Sequence, residues 1–172
     1  MWWWLGCHGG NEPEDTSRGR RADTGTVSAC AGPVEYLYDE DRTHIEGGVD
    51  YADRPPTSGP HDPCWADWGV HATPVADENW VHNLEHGGVV FLYNCVEGCE
   101  PEVAELAAMV ELLGPFALLT PYPDLTWRFG AVSWGARREF DCVDVAAMTG
   151  FYEAHRDHAP ESNASNPGGE CM

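Results

Sequence analysis

The chain contains no lysine, and its nine basic residues, all arginine, stand against 29 acidic ones. The formal charge of -20 argues strongly against a nucleic-acid partner, because phosphate binding needs a basic face. Acidity favours solubility and draws in cations. Adaptation to salt or biased codon usage gives the same balance, so charge alone assigns no function. Long apolar runs are also missing. Nothing reaches the roughly 18 apolar residues of a membrane helix, so no segment is expected to span a bilayer. No internal repeat is visible. Beyond Cys95 and Cys99 no second closely spaced cysteine pair is present, which disfavours a cysteine-based zinc site.

What is present begins with cysteine. Seven in 172 residues are many for a reduced cytosol and suit an oxidising compartment. The opening MWWWLGC resembles the end of a bacterial lipoprotein signal, with Gly6 before a Cys7 that would carry the lipid anchor. The charged start and most of the apolar core of such a signal are missing. Residues 1–7 thus read as the remnant of a truncated signal or as a chance Trp-rich start. Setting Cys7 aside, Cys30, Cys64, Cys95, Cys99, Cys142 and Cys171 remain for disulfides, and Cys95–Cys99 in NCVEGCEP reads as a local staple across a turn. The expectation is an extracytoplasmic protein, in the cell envelope, periplasm or medium, with at least two disulfides.

Residues 8–29 are polar, Gly-rich and aperiodic and read as a tether, while 160–172 form a similar tail that Cys171 could pin back. Residues 30–159 read as a single globular domain. Within it, 44–79 are dense in Pro, Gly, Asp and His without period, and so long an irregular segment is usually functional or pinned. GVVFLYN (88–94) reads as a buried strand. PEVAELAAMVELLG reads as a helix with Pro101 in its first turn and Gly114 as its stop, placing Val103, Leu106, Val110 and Leu113 inward. FALLT (116–120) and TWRFGAVSW (126–134) read as strands around PYPD. DVAAMTGFYEAHRD (144–157) reads as a second amphipathic helix with Val145, Met148, Phe151 and Tyr152 inward. The order β-α-β-β-α predicts an α+β fold, a small mixed or antiparallel sheet with both helices on one face. The long Pro/Gly/His-rich loop is then expected on an edge or the other face.

Histidines concentrate in or beside that loop. His82 and His86 in VHNLEHGGVV are four apart, so on a helix they share a face and could converge on one ion. His61 sits in PPTSGPHDPCW, where prolines and Gly59 fix the backbone, and His44 lies upstream. Imidazole is the usual ligand for zinc, copper, iron or nickel, and three or four complete a first shell. Glu85 could be a further ligand, could orient an imidazole, or could act as general base on bound water. Histidines in polar loops also commonly bond backbone carbonyls or face water, and His71, His155 and His158 are read so. His82-Asn83-Leu84-Glu85-His86 fits the inverted zinc-peptidase pattern H-x-x-E-H, but that pattern needs a long helix and Gly87 and Gly88 cut this one short.

PPTSGPH, VHNLEHGGVVFLYN, TPYPDL and AVSWG, in this order, resemble the bacterial domain-of-unknown-function family DUF3105 over roughly residues 42–158. The resemblance implies a small extracytoplasmic protein anchored by an apolar segment or lipid, and it marks His44 as the histidine upstream of the PPTSGPH loop. It implies no reaction. Cys64 and the cysteines at 30, 95, 99, 142 and 171 depart from the family pattern, and Cys64 leaves open whether a thiolate joins the site. Two functional classes follow. The first is an extracytoplasmic metal-binding protein whose His44, His61, His82 and His86 hold copper or zinc, with redox or oxygen-dependent chemistry at an open position. The second is a non-catalytic envelope module that recognises a protein or glycan through Trp65, Trp68 and Trp80. Ligation by imidazole also predicts that affinity falls as pH drops through about 6.5.

Overall fold

The computed structural model describes residue 1, residues 28–95 and 98–162, and residue 171. Cys7, nearly all of the tether and most of the tail lie outside the described residues. The fold is α+β, with a six-stranded mixed sheet and three helices. In chain order the elements are β1 (Ala31–Tyr36), β2 (Gly69–Val70), α1 (Asp77–Glu85), β3 (Val89–Tyr93), α2 (Glu100–Leu113), β4 (Ala117–Pro121), β5 (Phe129–Ser133), β6 (Ala136–Phe140) and α3 (Val145–His155). The sheet runs β1-β6-β5-β3-β4-β2. β3, β4 and β2 are parallel, whereas β5 pairs antiparallel with β3, β6 antiparallel with β5, and β1 antiparallel with β6 at the other edge.

The apolar strands sit where burial on both faces requires them. β3 and β5 are central, and Val89 to Leu92 and Phe129 to Ser133 are all buried. α2 is the crossover that two parallel neighbours need, and it buries Leu106, Met109 and Val110. Pro101 lies in its first turn and Gly114, at φ 78°, ends it. In α3 the Asp144 side chain accepts from the Ala147 amide at 3.0 Å, and Met148, Phe151 and Tyr152 turn inward. Val145 does not, being 38% exposed at the first helical position.

Two expectations are corrected. β1, β2 and β6 join the sheet although none reads as a strand; β6, ARREF, is charged because the β1 edge partly covers it and Arg137 bonds Glu35 across that edge at 2.9 Å. HNLEH belongs to a third helix, α1. The two helices read from the sequence, α2 and α3, do share one face, around Phe91, Leu119, Phe129 and Phe140. On the other side Trp80, Val81 and Leu84 of α1 pack against Val90, Leu92, Leu118 and Val132. Tyr51, Trp68 and Val75 from the long loop pack there as well, so loop and α1 form one layer over the sheet.

Candidate metal centre

α1 has two working faces. Trp80, Val81 and Leu84 anchor it to the sheet. Asn79, His82, Asn83 and His86 fall at helical spacing on a second stripe and grip the loop through its backbone. Asn79 Nδ2 donates to the Cys64 carbonyl at 2.6 Å. Asn83 exchanges two bonds with Ala66, accepting from its amide and donating to its carbonyl, both at 2.9 Å. His82 Nδ1 lies 2.7 Å from the Asp62 carbonyl. Acidic Asp77 and Glu78 open the helix where its positive end favours them. Gly87 then ends it at φ 85°, and a Cβ on Gly88 would stand 2.8 Å from the Asn83 carbonyl and collide with the Trp68 ring.

The loop supplies the other histidines. Residues 44 and 61 form an isolated parallel bridge, with the Ile45 amide donating to the His61 carbonyl at 2.8 Å and the His61 amide to the Thr43 carbonyl at 3.1 Å. Tyr51 hydroxyl holds the Pro60 carbonyl at 2.6 Å. The rings of His44 and His61 are thereby set 5.0 Å apart, and both stand within 4.9 Å of the His82 ring.

Hydrogen bonds decide which nitrogens are free. His61 Nδ1 lies 2.8 Å from the Gly59 carbonyl, His82 Nδ1 2.7 Å from that of Asp62, and His86 Nδ1 3.1 Å from that of Glu161. A carbonyl only accepts, so each Nδ1 carries a proton, and a ring without a second proton presents an Nε2 lone pair. No backbone or side-chain donor outside the cluster reaches those nitrogens among the described residues. His61 Nε2 faces Glu85 Oε2 at 3.0 Å, and His82 Nε2 faces His86 Nε2 at 3.1 Å. While both groups of a pair lack a proton neither contact is a hydrogen bond, and His61 Nε2 is fully buried beside the carboxylate. A proton or a cation between the lone pairs removes the conflict. One N or O atom from each of His44, His61, His82 and Glu85 lies within 4.8 Å of the others, and Glu85, His86 and Glu161 form a second, overlapping group. Ligands about 2.1 Å from an ion stand roughly 3.3–4.2 Å apart, so a cation would draw them together only slightly.

The electrostatics suit ligation. Burial pushes His82 down to about 4 and also depresses His86, so both imidazoles are neutral at pH 7. For Glu85 burial acts upward, but a proton held between it and His61 Nε2, with the positive charge this brings and that of Arg42, outweighs burial and keeps the carboxyl below its ordinary range. Arg42 Nη1 lies 3.5 Å from Glu85 Oε1 and 3.5 Å from Glu161 Oε1. Trp65 walls the cluster, its ring 4.6 Å from His82 and 4.3 Å from His86, with Trp134 edge-on to His61 at 6.2 Å. His44 is exposed, so the cluster opens to solvent on that side.

The structure therefore gathers His44, His61, His82 and Glu85 into one group, with His86 beside His82 and on the Glu161 side. The other histidines lie elsewhere: His71 bonds the Asp67 carbonyl, His158 that of Ala154, and His155 packs on Phe151. Cys64 is disulfide-bonded to Cys171 and offers no thiolate. The three tryptophans form no recognition surface: Trp80 and Trp65 are buried and Trp68 packs under the loop against Phe116. Sequence reasoning missed Glu161 and Arg42, which carry no local signal. Asn79 and Asn83, in step with the histidines, did carry one. Cys30–Cys142 and Cys95–Cys99 complete three disulfides, and no helix among the described residues is long and apolar enough to cross a membrane.

No curated protein and no solved structure matches the chain. The model of one family, Protein of unknown function (DUF3105), matches residues 44–168 and so takes in His44, His61, His82, Glu85, His86 and Glu161. The chain belongs to the DUF3105 family.

Proposed function

We propose that the protein is an extracytoplasmic metal-binding protein whose His44, His61, His82 and Glu85 hold a transition metal ion, copper or zinc before iron. One observation carries the reading: three buried imidazoles have their Nδ1 protons tied to backbone carbonyls, which turns three Nε2 atoms and a carboxylate toward one another. Orienting bonds of this kind are what metal-ligating histidines characteristically make. Nitrogen-rich donors with one carboxylate suit zinc or copper rather than magnesium or calcium. Bound copper would supply one-electron chemistry, and bound zinc a Lewis acid. The exposed side at His44 is where a water or small substrate would enter. Glu85 serves here as a ligand instead of the base of an H-x-x-E-H peptidase, since His61 Nε2 already faces its Oε2. Three disulfides suit the oxidising compartment this reading assigns.

Elemental analysis of protein purified without a histidine tag tests the proposal. Stoichiometric copper or zinc, lost in His82→Ala, is the expected result. Folded protein that holds no metal and takes up neither Cu(II) nor Zn(II) overturns it.

A further inference from the structure

We propose that the centre accepts a second divalent transition cation, held by His86, Glu161 and the outer oxygen of Glu85, so that Glu85 bridges two ions. This rests on the reading of the first cluster as a metal site. The two carboxylate oxygens of Glu85 already face different neighbours: Oε2 is 3.0 Å from His61 Nε2, and Oε1 is 3.5 Å from Arg42. On the Arg42 side Glu85, His86 and Glu161 bring three ligand atoms within 4.8 Å of one another. His86 is only 5% exposed, and its Nδ1 proton is committed to the Glu161 carbonyl. Its Nε2 faces another lone pair, that of His82. Assigning His82 to one ion and His86 to the other gives each lone pair a cation.

The backbone builds this half of the centre with no help from an ion. The Glu161 amide donates to the Glu85 carbonyl at 3.1 Å, and the Asp157 amide donates to the Gly87 carbonyl at 2.9 Å. These bonds clasp the chain beyond α3 against the end of α1. Close approach is the reason for Gly87: a Cβ there would stand 2.9 Å from Asp157 Cα, at a φ of 85° that side chains rarely adopt.

Arg42 shows that this place demands positive charge. A single guanidinium nitrogen stands 3.5 Å from both Glu85 and Glu161, and the side chain is 43% exposed. Contacts this long on a half-exposed arginine are weak and exchangeable. Arg42 is thus a placeholder that an incoming cation displaces. A site of one imidazole and two carboxylates takes Zn(II) or Mn(II), and competition with Arg42 makes it weaker than the first. Two ions sharing a carboxylate roughly 3.5–4 Å apart form a clamp on an oxygen-bearing substrate.

Zinc titration of the full chain by calorimetry, with elemental analysis, tests this in the native protein, Glu161→Gln and Arg42→Ala. The native protein should take two equivalents, the second more weakly. Glu161→Gln should keep the first and lose the second by at least about tenfold, while Arg42→Ala should tighten the second by about tenfold. With Cu(II), the second equivalent should quench part of the paramagnetic signal of the first through the shared carboxylate, and Glu161→Gln should abolish that quenching. A single equivalent in the native protein, unchanged in Glu161→Gln, overturns the second site and leaves the first standing. No zinc uptake by any of the three overturns both.

Discussion

An imidazole nitrogen and a carboxylate oxygen 3.0 Å apart, both shut from water, define the chemistry at the scale of single residues. Glu85→Gln keeps the shape but removes the charge. Zinc affinity should drop by about 10- to 100-fold, read by competition with a chelator of known strength. His61→Ala should lose more than Glu85→Gln, whereas His158→Ala, whose ring bonds only Ala154, should titrate like the native protein. Equal affinities for His61→Ala and His158→Ala would remove the site. Protonation adds a test without metal. Burial holds His82 at about 4 against an ordinary 6.5, so between those values the unfolded chain takes up a proton that the folded chain refuses. Metal-free protein should therefore have its full stability above pH 6.5 and lose on the order of 3 kcal/mol as pH falls toward 4. Glu85, held low, adds a loss in the same direction beginning below its ordinary 4.5. Urea midpoints that do not move between pH 7 and 5 in the presence of a chelator would contradict a buried neutral His82. The same burial moves proton competition for the metal below the 6.5 expected of a free imidazole.

Among the elements, α1 works as a polar rail. Asn83 makes two bonds to Ala66, and no water-exposed alternative exists for either group because the side chain is fully buried. Asn83→Ala should cost about 2–3 kcal/mol in denaturant unfolding and weaken zinc binding, since the loop it holds leads back to His61. Asn83→Asp restores only the acceptor and should recover part of the loss. Gly88→Ala probes the end of the rail. Its Cβ would meet the Trp68 ring and the Asn83 carbonyl, backbone that cannot step aside, so a destabilisation of about 2 kcal/mol or more is expected. A neutral Gly88→Ala would mean that the loop layer is looser than its contacts imply.

Across the whole molecule, disulfides tie distant parts of the chain to the sheet and the loop. Cys30–Cys142 joins the approach to β1 to the approach to α3 across a separation of 112 residues, and Cys64–Cys171 holds the tail to the His61 loop across 107. Closing loops of that length removes much unfolded-chain entropy, worth about 4–5 kcal/mol each in the chain-entropy account. Replacing Cys30 and Cys142 together by serine should lower stability by about 2–5 kcal/mol. Non-reducing mass spectrometry after alkylation should find Cys30, Cys64, Cys95, Cys99, Cys142 and Cys171 unmodified, and general alkylation would refute the oxidised state.

Local pattern was enough for α2, α3 and the central strands, because a helical apolar stripe and a short apolar run each specify a buried face without reference to the rest of the chain. Local pattern also marked His61, held by Pro60 and Gly59, and the His82–His86 pair at one helical turn. Other features depended on partners far away in sequence. β6 is charged because β1 pairs with it, and α1 is polar on its second face because the loop it grips offers backbone groups instead of side chains. Tryptophans that look like a binding surface in a polar loop are core because that loop folds onto the sheet. Spacing could bring His82 and His86 together, yet it could not place Glu85 among the histidines or Glu161 beside His86. Those positions follow from the bridge between residues 44 and 61 and from the clasp of residues 157–161 on the end of α1, both made by backbone hydrogen bonds that name no side-chain partner in the sequence.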